Sequence, residues 1–317
     1  MKVSVCIPVY GVEKYIERCA RSLFEQTMKE DIEFIFVNDC TKDKSIEILE
    51  QVLNEYPERK NQVKIIHHQK NSGLAAARQT GVEHAVGEYI IHCDSDDWVE
   101  KDMYETMYIK AKNDNADIVF CGVDSCFANG KKITKKFSCL GSPYELLERI
   151  CVDHRYASLW NKLYRRRVLP VIQYCGKHLV IQEDFIMNYY ALQNSKIISW
   201  IDDPFYHYFC NVDSSSQKKW NTKDYEDLMW VLKYISFNAP DEKLINYYKL
   251  NIQQMLLSHP ECVSVDKFDS LTKDSTFVWV MPMPLSKKIF VGLGRINFVL
   301  ASGILAFLLK IRRALRT

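Results

Sequence analysis

The chain has 317 residues, of which 47% are apolar and 26% are charged, and its formal net charge is +2. This balance is typical of a globular protein with a substantial core and excludes a disordered chain. The charge is too close to zero to provide a global field for a polyanion, so nucleic acid is not a predicted partner.

The eleven cysteines are scattered along the chain and form no Cys-x-x-Cys pair. An odd number without metal-like spacing argues against both a disulfide framework and a thiolate metal site. The chain opens at Met1 directly into an apolar run, without the pattern of a signal peptide. We therefore expect a reducing, cytoplasmic setting.

Apolar runs alternate with helical patterns four times in the first hundred residues. The predicted strands are residues 2–9, 32–37, 63–67 and 88–92. This alternation predicts an α/β fold in which a mostly parallel sheet is flanked by helices. Ligands bind at the carboxyl ends of the strands in such sheets. We therefore expect one rim of the sheet to collect the loops at residues 10–11, 38–43 and 94–97.

The fourth strand leads into a cluster of carboxylates, Asp94, Asp96 and Asp97. Like charges this close repel one another unless a positive group binds beside them. Mg²⁺ is commonly held by one or two carboxylates together with substrate phosphates, so the cluster is a candidate metal site. The alternative is an acidic turn that caps the helix predicted from about Glu100.

The first strand is not followed by a glycine-rich phosphate loop. Neither G-x-G-x-x-G nor G-x-x-x-x-G-K-[ST] occurs there. This argues against a dinucleotide dehydrogenase and against a P-loop nucleotide hydrolase. A bound phosphate would have to be neutralised by metal and basic side chains.

The second half of the chain continues with mixed elements. We predict a strand at 116–123, a hairpin at Asn129-Gly130, a helix from Ser142-Pro143, and two short strands at 196–201 and 205–209. Two further helices are expected between 222 and 258, the second beginning at Asp241.

Two segments of this half carry candidate site residues. Trp160, Asn161 and Lys162 mix aromatic and polar groups as a sugar or nucleotide surface does, although an ordinary amphipathic segment has the same pattern. Glu183 and Asp184 begin a predicted helix, where the helix dipole favours carboxylates regardless of function. The residues alone leave both alternatives open.

In combination, the motifs resemble the family 2 glycosyltransferases of GT-A fold, over about residues 1–215. The matching pieces, in chain order, are Val5-Cys6-Ile7-Pro8-Val9-Tyr10, Gln26-Thr27, Val37-Asn38-Asp39-Cys40-Thr41-Lys42-Asp43-Lys44-Ser45, Asn71-Ser72-Gly73-Leu74-Ala75-Ala76-Ala77-Arg78, Gly87-Glu88-Tyr89, Asp94-Ser95-Asp96-Asp97, Asn161-Lys162-Leu163-Tyr164, Glu183-Asp184 and Phe205-Tyr206-His207-Tyr208.

The resemblance implies an inverting transferase that uses a nucleotide-diphosphate-sugar, with UDP as the expected nucleotide, and a divalent Mn or Mg ion. It implies that the nucleotide-sugar is bound by Pro8, Val9, Tyr10, Asp39, Arg78, Asp94 and Ser95. It further implies that Asp96 holds the metal and that Asp184, beside Glu183, is the general base. Asp97, Trp160, Asn161 and Lys162 are expected near the donor or acceptor sugar.

The sequence departs from the family pattern at three positions. Gly11 stands where Asn is usual, Asn38 replaces the first of two common acids, and Gln79 follows Arg78 where Asn is typical. None of these changes removes a proposed catalytic group. The change at Gly11 puts the contacts of the first loop in doubt.

The implied roles agree with elementary chemistry. A sugar hydroxyl is a poor nucleophile, so a positioned carboxylate must accept its proton. A metal ion can stabilise the charge that develops on the departing nucleoside diphosphate. A double-displacement route would need a second carboxylate against the sugar, and the sequence offers no clear candidate for it.

The C-terminal stretch is basic and apolar. From Ser275 to the end it has seven lysines and arginines and no acidic residue, so the preceding body is net acidic. Residues 296–309 are nearly all apolar but shorter than a bilayer span. We expect a helix in or partly within the cytoplasmic leaflet, held peripherally. A helix docked on the protein itself and a true span remain alternatives.

We therefore predict a catalytic domain at 1–215, a helical extension at 216–280 and a membrane-associating helix at 281–317. The expected acceptor is a growing glycan, in surface polysaccharide or lipid-linked oligosaccharide synthesis. A sugar-nucleotide pyrophosphorylase could share the sheet, but would be expected to carry a glycine-rich loop after the first strand. A non-catalytic binding protein at the membrane surface is the other alternative. The oligomeric state is not predicted.

Overall fold

The computed structural model describes residues 1–136, 141–153, 156–169, 179–210, 219–272 and 285–314. These residues fall into two compact units. The first unit comprises residues 1–146, 158–179 and 186–212, and the second comprises 147–157, 180–185 and 213–317. The predicted boundary at 215 lies next to the end of the first unit, whereas the residues predicted as a separate third domain belong to the second.

The first unit is built on one sheet. Its strands are β1 Val3–Val9, β2 Ile32–Asn38, β3 Val63–His67, β4 Tyr89–His92, β5 Trp98–Val99, β6 Ile118–Phe127, β7 Lys132–Lys135, β8 Lys162–Arg165 and β9 Ile198–Cys210. The strand order is β3-β2-β1-β4-β8-β6-β9-β5, and β7 pairs with β6. The pairs β1–β2, β1–β4 and β2–β3 are parallel, as the sequence predicts for the first four strands, and the pair β6–β9 is also parallel.

The central strands are buried because helices cover both of their faces. Every residue of β1 is buried, and in β2 only Asn38 at the carboxyl end is partly exposed. Continuous burial explains why both strands are apolar runs instead of alternating patterns. Since β2, β1 and β4 are adjacent and parallel, their carboxyl ends lie at one edge. That edge positions the loops that carry the predicted site.

Four of the described α-helices belong wholly to the first unit. They are α1 Ile16–Phe24, α2 Ser45–Asn54, α3 Leu74–His84 and α4 Met103–Asn113. Helix α5, Pro143–Val152, begins at the predicted Ser142 cap, where the Glu145 amide donates to Ser142 Oγ at 3.2 Å. Helix α6 is Glu183–Gln193.

The prediction of two short strands at 196–201 and 205–209 is wrong. Strand β9 is continuous, and its register against β6 shifts between Cys121 and Val123. Cys121 is opposite Ile201 and Val123 is opposite Tyr206, so residues 202–205 bulge opposite the single residue Gly122. A Cβ on Gly122 would lie 2.4 Å from the Asp202 carbonyl oxygen, so the bulge requires glycine at this position. The sequence analysis read this bulge, which includes Pro204, as a break between strands. It also missed the short strand β5, which pairs with β9.

The second unit is helical. Its helices are α7 Thr222–Asn238, α8 Glu242–Ser258, α9 Val265–Thr272, α10 Leu285–Ile296 and α11 Phe298–Ala314. Helix α7 begins with a capping box formed by Asn221 and Asp224. The Asp241 side chain accepts from the Leu244 amide at 3.0 Å and caps α8 where the sequence predicted its start.

The C-terminal stretch forms two helices, whereas the sequence analysis expected one. Asn297 separates them, and its side chain accepts from the Leu300 amide at 2.9 Å to begin α11. Val291, Phe298 and Ala301 are buried, and the Phe268 and Phe298 rings lie 4.4 Å apart. One side of this pair is therefore packed within the second unit. Among the described residues, no helix has the length and apolarity that crossing a membrane requires.

Candidate active site

We define Asp94–Asp97, which follows β4, as the acidic turn. The carboxyl end of β1 is hydrogen-bonded to this turn. Ser95 Oγ donates to the Pro8 carbonyl oxygen at 2.7 Å, and the Cys93 amide donates to the Cys6 carbonyl oxygen at 3.0 Å. Pro8 and Val9 are buried within the sheet, whereas Tyr10 is exposed. Of these three residues, all predicted to bind the nucleotide-sugar, Tyr10 is therefore the one with an exposed side chain.

Asp39, at the end of β2, organises the loop that leads into α3. Its two oxygens accept from the Ser72 amide at 2.8 Å and the Gly73 amide at 2.7 Å, and one of them pairs with His68 Nδ1 at 2.8 Å. Gly73 has φ +88°, a left-handed conformation that favours glycine. The buried Asp39 thus fixes the start of the helix that carries Arg78.

Arg78 and Asp94 form an ion pair at this edge. Arg78 Nη2 donates to Asp94 Oδ1 at 2.9 Å, and the side chains are 4% and 24% exposed, respectively. The Asp94 amide in turn donates to the buried Tyr206 hydroxyl at 3.1 Å. The sequence prediction placed both residues at the nucleotide-sugar, and the structure brings them together.

The two following carboxylates have different surroundings. Asp97 is buried and accepts from the Phe209 amide and the Tyr206 hydroxyl, each at 2.7 Å. Burial, together with neighbouring Asp96 and Asp94, raises the pKa of Asp97. This placement does not support the predicted contact of Asp97 with a sugar, because its oxygens are directed to the protein interior. Asp97 instead fixes the turn against β9.

Asp96 is only partly buried. Burial, and then the charge of Asp94, raises the pKa of Asp96 to about 6. The negative charge of ionised Asp96 is therefore poorly compensated by the protein. A divalent cation beside it would provide the compensating positive charge. Hard carboxylate oxygens completed by substrate phosphates suit Mg²⁺ or Mn²⁺, so these residues fit the implied ion. Within the described residues, no cluster of three or more His, Cys, Asp or Glu side chains forms a complete protein site.

Arg18, on α1, is a basic residue that contacts the turn and that the sequence analysis missed. Its Nη2 donates to the Asp96 carbonyl oxygen at 2.8 Å, and its guanidinium carbon lies 3.8 Å from the centre of the Trp98 ring. Burial lowers the pKa of Arg18, while the charge of Asp97 opposes that effect. No sequence signal distinguishes Arg18 from the other charged residues of α1, because its role depends on the packing of α1 against the turn.

Trp160 lies in an aromatic stack beside the turn. Its ring is 4.4 Å from that of Tyr206 and 5.6 Å from that of Tyr208, nearly parallel to both, and it is half-buried. Tyr206 was quoted in the sequence analysis only as part of a pattern. Its burial and its bonds to the turn show a positioning role that the pattern did not specify.

Asn161 and Lys162 are buried, which does not support their predicted contact with a sugar. Lys162 Nζ donates to Asn161 Oδ1 at 3.0 Å and to the Ser158 carbonyl oxygen. Asn161 Nδ2 donates to the Cys121 carbonyl oxygen at 3.4 Å. These bonds join the start of β8 to β6, so both side chains stabilise the sheet. Sequence pattern could not distinguish this arrangement from a polar binding surface.

Glu183 and Asp184 lie in the second unit, in the first turn of α6. Glu183 is buried, and Asp184 is half-buried and accepts from the Phe185 amide at 2.7 Å. A proton acceptor must reach its substrate, so the more exposed Asp184 fits that role better than Glu183.

The sequence is similar to known glycosyltransferases. Residues 4–173 match the profile of the family described as Glycosyl transferase family 2. The chain is 34% identical over 223 residues to the putative glycosyltransferase EpsH of Bacillus subtilis, covering 68% of this chain and 63% of that protein. It is 32% identical over 230 residues to the cholesterol galactosyltransferase of Borreliella burgdorferi, covering 68% and 62%. The match thus spans less than two thirds of these relatives.

Solved structures show the same fold. The 1–349 fragment of Staphylococcus aureus TarS in complex with UDP-GlcNAc superimposes with a TM-score of 0.64 at 22% identity, covering 95% of this chain and 82% of that one. A Pyrobaculum calidifontis mannosyltransferase in complex with GDP-Man and Mn²⁺ gives 0.55 at 13% identity, covering 96% and 87%. These likenesses confirm the predicted fold class, a GT-A-like, mostly parallel sheet flanked by helices.

Proposed function

Because this chain belongs to glycosyl transferase family 2, we propose that it transfers a sugar from a nucleotide-diphosphate-sugar to a hydroxyl of a growing glycan, with inversion. The proposal rests on the Arg78–Asp94 ion pair at the carboxyl edge of the sheet. Asp94 is the first residue of the acidic turn. A basic group beside carboxylates that favour a cation is what a diphosphate and its metal require.

The proposed donor site is the rim formed by β1, β2 and β4. Exposed Tyr10, which follows buried Pro8 and Val9, would line the base and ribose pocket, with Asp39 near the base and Asp94 and Ser95 near the ribose. Arg78, 4% exposed, would hold the base or the diphosphate through its pairing with Asp94. UDP is the proposed nucleotide, since TarS, a structure of similar fold, contains UDP-GlcNAc.

Asp96 is the proposed ligand of a Mn or Mg ion. A bound divalent ion supplies Lewis-acid stabilisation of the charge on the departing nucleoside diphosphate. The protein's own part is to hold Asp96 at the surface of the turn while Asp97 and Tyr206 fix the backbone around it. Arg18 contributes by holding the Asp96 carbonyl group.

Asp184 is the proposed general base. It would accept the proton of the acceptor hydroxyl as that oxygen attacks the anomeric carbon, and one displacement inverts the configuration. Its neighbour Glu183 is more buried and would support the turn of α6. Trp160 is the residue of the predicted sugar surface that keeps an exposed portion, so we propose that it contacts a sugar.

A panel of nucleotide-sugars with Mn²⁺ or Mg²⁺ tests this function through the release of nucleoside diphosphate. We expect release from one donor, and loss of that release with EDTA, Asp96→Ala or Asp184→Asn. Asp102→Asn, an exposed acid near the turn, serves as the control. A pyrophosphorylase would instead form a nucleotide-sugar and pyrophosphate from a sugar phosphate. If no donor is bound in calorimetry even with metal, the proposal is wrong.

We further propose that α10 and α11 hold the protein peripherally on the cytoplasmic face of the membrane, near a surface-polysaccharide or lipid-linked acceptor. Large apolar side chains are exposed along both helices: Leu285, Ile289, Leu293, Ile296, Val299, Leu300, Ile304, Phe307 and Leu308. The same stretch is basic and has no acidic residue. An apolar surface of this size with basic neighbours suits an anionic lipid surface.

Flotation with vesicles of anionic lipid tests the membrane proposal. We expect co-flotation of the protein, and its loss in a double variant Ile296→Ser and Phe307→Ser. The control is Phe237→Ser, because Phe237 is 79% exposed in the same unit but lies on α7. Equal flotation of both variants would mean that the lipid contact is elsewhere.

A further inference from the structure

The segment that carries the proposed base is held by helices of the second unit. We define this base segment as Val180–Phe185, all of which belongs to that unit. Asp227, on α7, accepts from the Val180 amide at 2.7 Å and from the Ile181 amide at 3.5 Å through the same oxygen. Asp227 is fully buried, so this bond is shielded from water. Charge-assisted bonds of this kind are stronger than those between neutral groups.

The middle of the base segment has a strained backbone. Gln182 has φ +69°, a left-handed conformation that is unfavourable for a residue with a Cβ. Strain of this kind persists only where the surroundings hold the residue. The holding groups are on α8: the Tyr248 hydroxyl donates to Gln182 Oε1 at 3.1 Å, and Gln182 Nε2 donates to Met255 Sδ at 3.8 Å.

The end of the base segment is fixed by packing. The rings of Phe185 and Tyr248 lie 4.6 Å apart, and both side chains are buried. Burial raises the pKa of Tyr248, and so do the nearby charges of Cys151 and Asp184. Tyr248 is therefore a neutral phenol close to Asp184. One tyrosine thus contacts the segment on both sides of Glu183 and Asp184.

We infer that Asp227 and Tyr248 are positioning residues for the transfer reaction, which fix the backbone of the base segment so that Asp184 is held in a productive orientation. The inference rests on the proposed function, with Asp184 as the base. Displacing a catalytic group by about 1 Å can lower a rate by about 100-fold. A strained residue directly before two carboxylates, fixed by two different helices, is suited to prevent such displacement.

The helices offer matched controls for a merely structural role. Asp224 is a second buried aspartate of α7, which accepts from the Asn221 amide at 2.7 Å and caps that helix. Tyr247 is a second buried tyrosine of α8, whose ring lies 5.5 Å from Lys243 Nζ. Neither has a described bond to the base segment. Asp224→Asn and Tyr247→Phe therefore repeat the same chemical changes at a different place.

The experiment measures steady-state donor hydrolysis, donor affinity by calorimetry and thermal unfolding for Asp227→Asn, Tyr248→Phe and the two controls, all in the full chain. We expect kcat to fall roughly 10- to 100-fold for Asp227→Asn and less for Tyr248→Phe, with donor Kd unchanged. The controls should keep the wild-type kcat. If kcat falls equally in the controls, or stays unchanged in the test variants, the inference is wrong. Should Asp227→Asn not fold, Tyr248→Phe decides, since it removes a single oxygen atom.

Amide hydrogen exchange provides a second readout that does not depend on activity. We expect the amides of Val180 and Ile181 to exchange faster in Asp227→Asn than in Asp224→Asn, because only the first substitution weakens their acceptor. Equal exchange would refute the positioning role even if the enzyme is active. If the wild type binds and hydrolyses no donor, the proposed function fails, and exchange still reports whether these helices hold the segment.

Discussion

The acidic turn and the base segment both contain two consecutive acids, of which one is buried and the other is more exposed. In the turn, Asp97 is buried and Asp96 is partly exposed, and in the segment Glu183 is buried and Asp184 is half-buried. The two regions are fixed in different ways. In the turn, the buried acid Asp97 itself accepts the bonds that fix the chain. In the base segment, Asp227 and Tyr248 instead bond to residues that precede the two acids. Adjacent acids therefore need not share a role. The buried acid of each pair has a structural role, and the more exposed one can reach a ligand.

The largest expected effect is on folding, and it contrasts Asp97 with Asp184. Asp97→Ala leaves the Phe209 amide and the Tyr206 hydroxyl without their buried acceptor. At about 1–3 kcal/mol for each unsatisfied group, the free energy of unfolding should fall by about 4 kcal/mol. Asp184→Ala, at a more exposed position, should cost about 1 kcal/mol or less while abolishing turnover. Urea unfolding followed by circular dichroism measures both.

Tyr206→Phe is the control for the Asp97 prediction. It removes one of the two donors and keeps the ring stacked on Trp160, so it should cost less than Asp97→Ala. Comparable unfolding midpoints for Asp97→Ala and Asp184→Ala would contradict the division into a structural and a catalytic acid.

The next effect concerns pH, because Asp96 has a pKa of about 6 in the fold against an ordinary value of 3.8. Between these values the folded state binds the proton more tightly than the unfolded state does. The contribution of Asp96 to stability is therefore present below pH 3.8 and lost as pH rises through about 6. The difference corresponds to about 3 kcal/mol, which solvent screening at a partly exposed group reduces to about 2 kcal/mol.

Urea unfolding in EDTA at pH 4.5 and pH 7.5 tests the direction of this pH dependence of stability. Asp96→Asn should be more stable than the wild type at pH 7.5 and similar to it at pH 4.5. Mn²⁺ should stabilise the wild type at pH 7.5 and leave Asp96→Asn unchanged, since a ligand that binds the folded state raises its stability. Asp102→Asn, an exposed acid, should show neither effect. A wild type more stable than Asp96→Asn at pH 7.5 in EDTA would refute the assignment.

Much of the first unit follows from sequence because its signals are local. Buried parallel strands are apolar runs, and the loops at their ends place Asp39 and Asp94 at one edge whatever the side chains do. The tertiary contacts of the side chains do not follow from the sequence. Asn161 and Lys162 have the composition of a binding surface but bond to each other in the interior. Only the packing of the folded chain distinguishes a polar binding surface from buried polar residues that bond to each other.

The positioning residues illustrate the same limit over longer distances. Asp227 contacts a segment 47 positions earlier in the chain, and Tyr248 one 66 positions earlier. A buried aspartate inside an amphipathic helix has no periodicity or motif of its own. Gln182 likewise gives no sign of a left-handed conformation, which is usual for glycine and uncommon for glutamine. The base segment could therefore be located from sequence, but the groups that hold it could not.

A substitution of Arg78 tests whether the edge of the sheet and the base segment affect different kinetic parameters, donor Kd and kcat. Arg78→Lys keeps the charge but replaces the planar guanidinium whose Nη2 donates to Asp94. We expect donor Kd to rise about tenfold, or about 1.4 kcal/mol, with a smaller change in kcat. The positioning variants of the base segment should show the reverse, a lower kcat at constant Kd. Arg21→Lys, at a surface pair with Glu55, is the control, and an unchanged Kd in Arg78→Lys would remove Arg78 from the proposed donor site.

The smallest effect is expected at Gly11, in the loop after β1. Gly11 has φ +69°, its amide donates to Thr41 Oγ1 at 2.9 Å, and an added Cβ would meet nothing within 4 Å. Only the backbone conformation therefore resists substitution. Gly11→Ala should lower the free energy of unfolding by about 1 kcal/mol, whereas Gly11→Asn should cost less, because Asn tolerates the left-handed region. If Gly11→Asn also strengthens donor binding in calorimetry, the Asn that the family pattern has at this position contributes a nucleotide contact that this chain lacks. An unchanged Kd would mean that this loop serves the site through its backbone, whose Gly11 amide donates to Thr41.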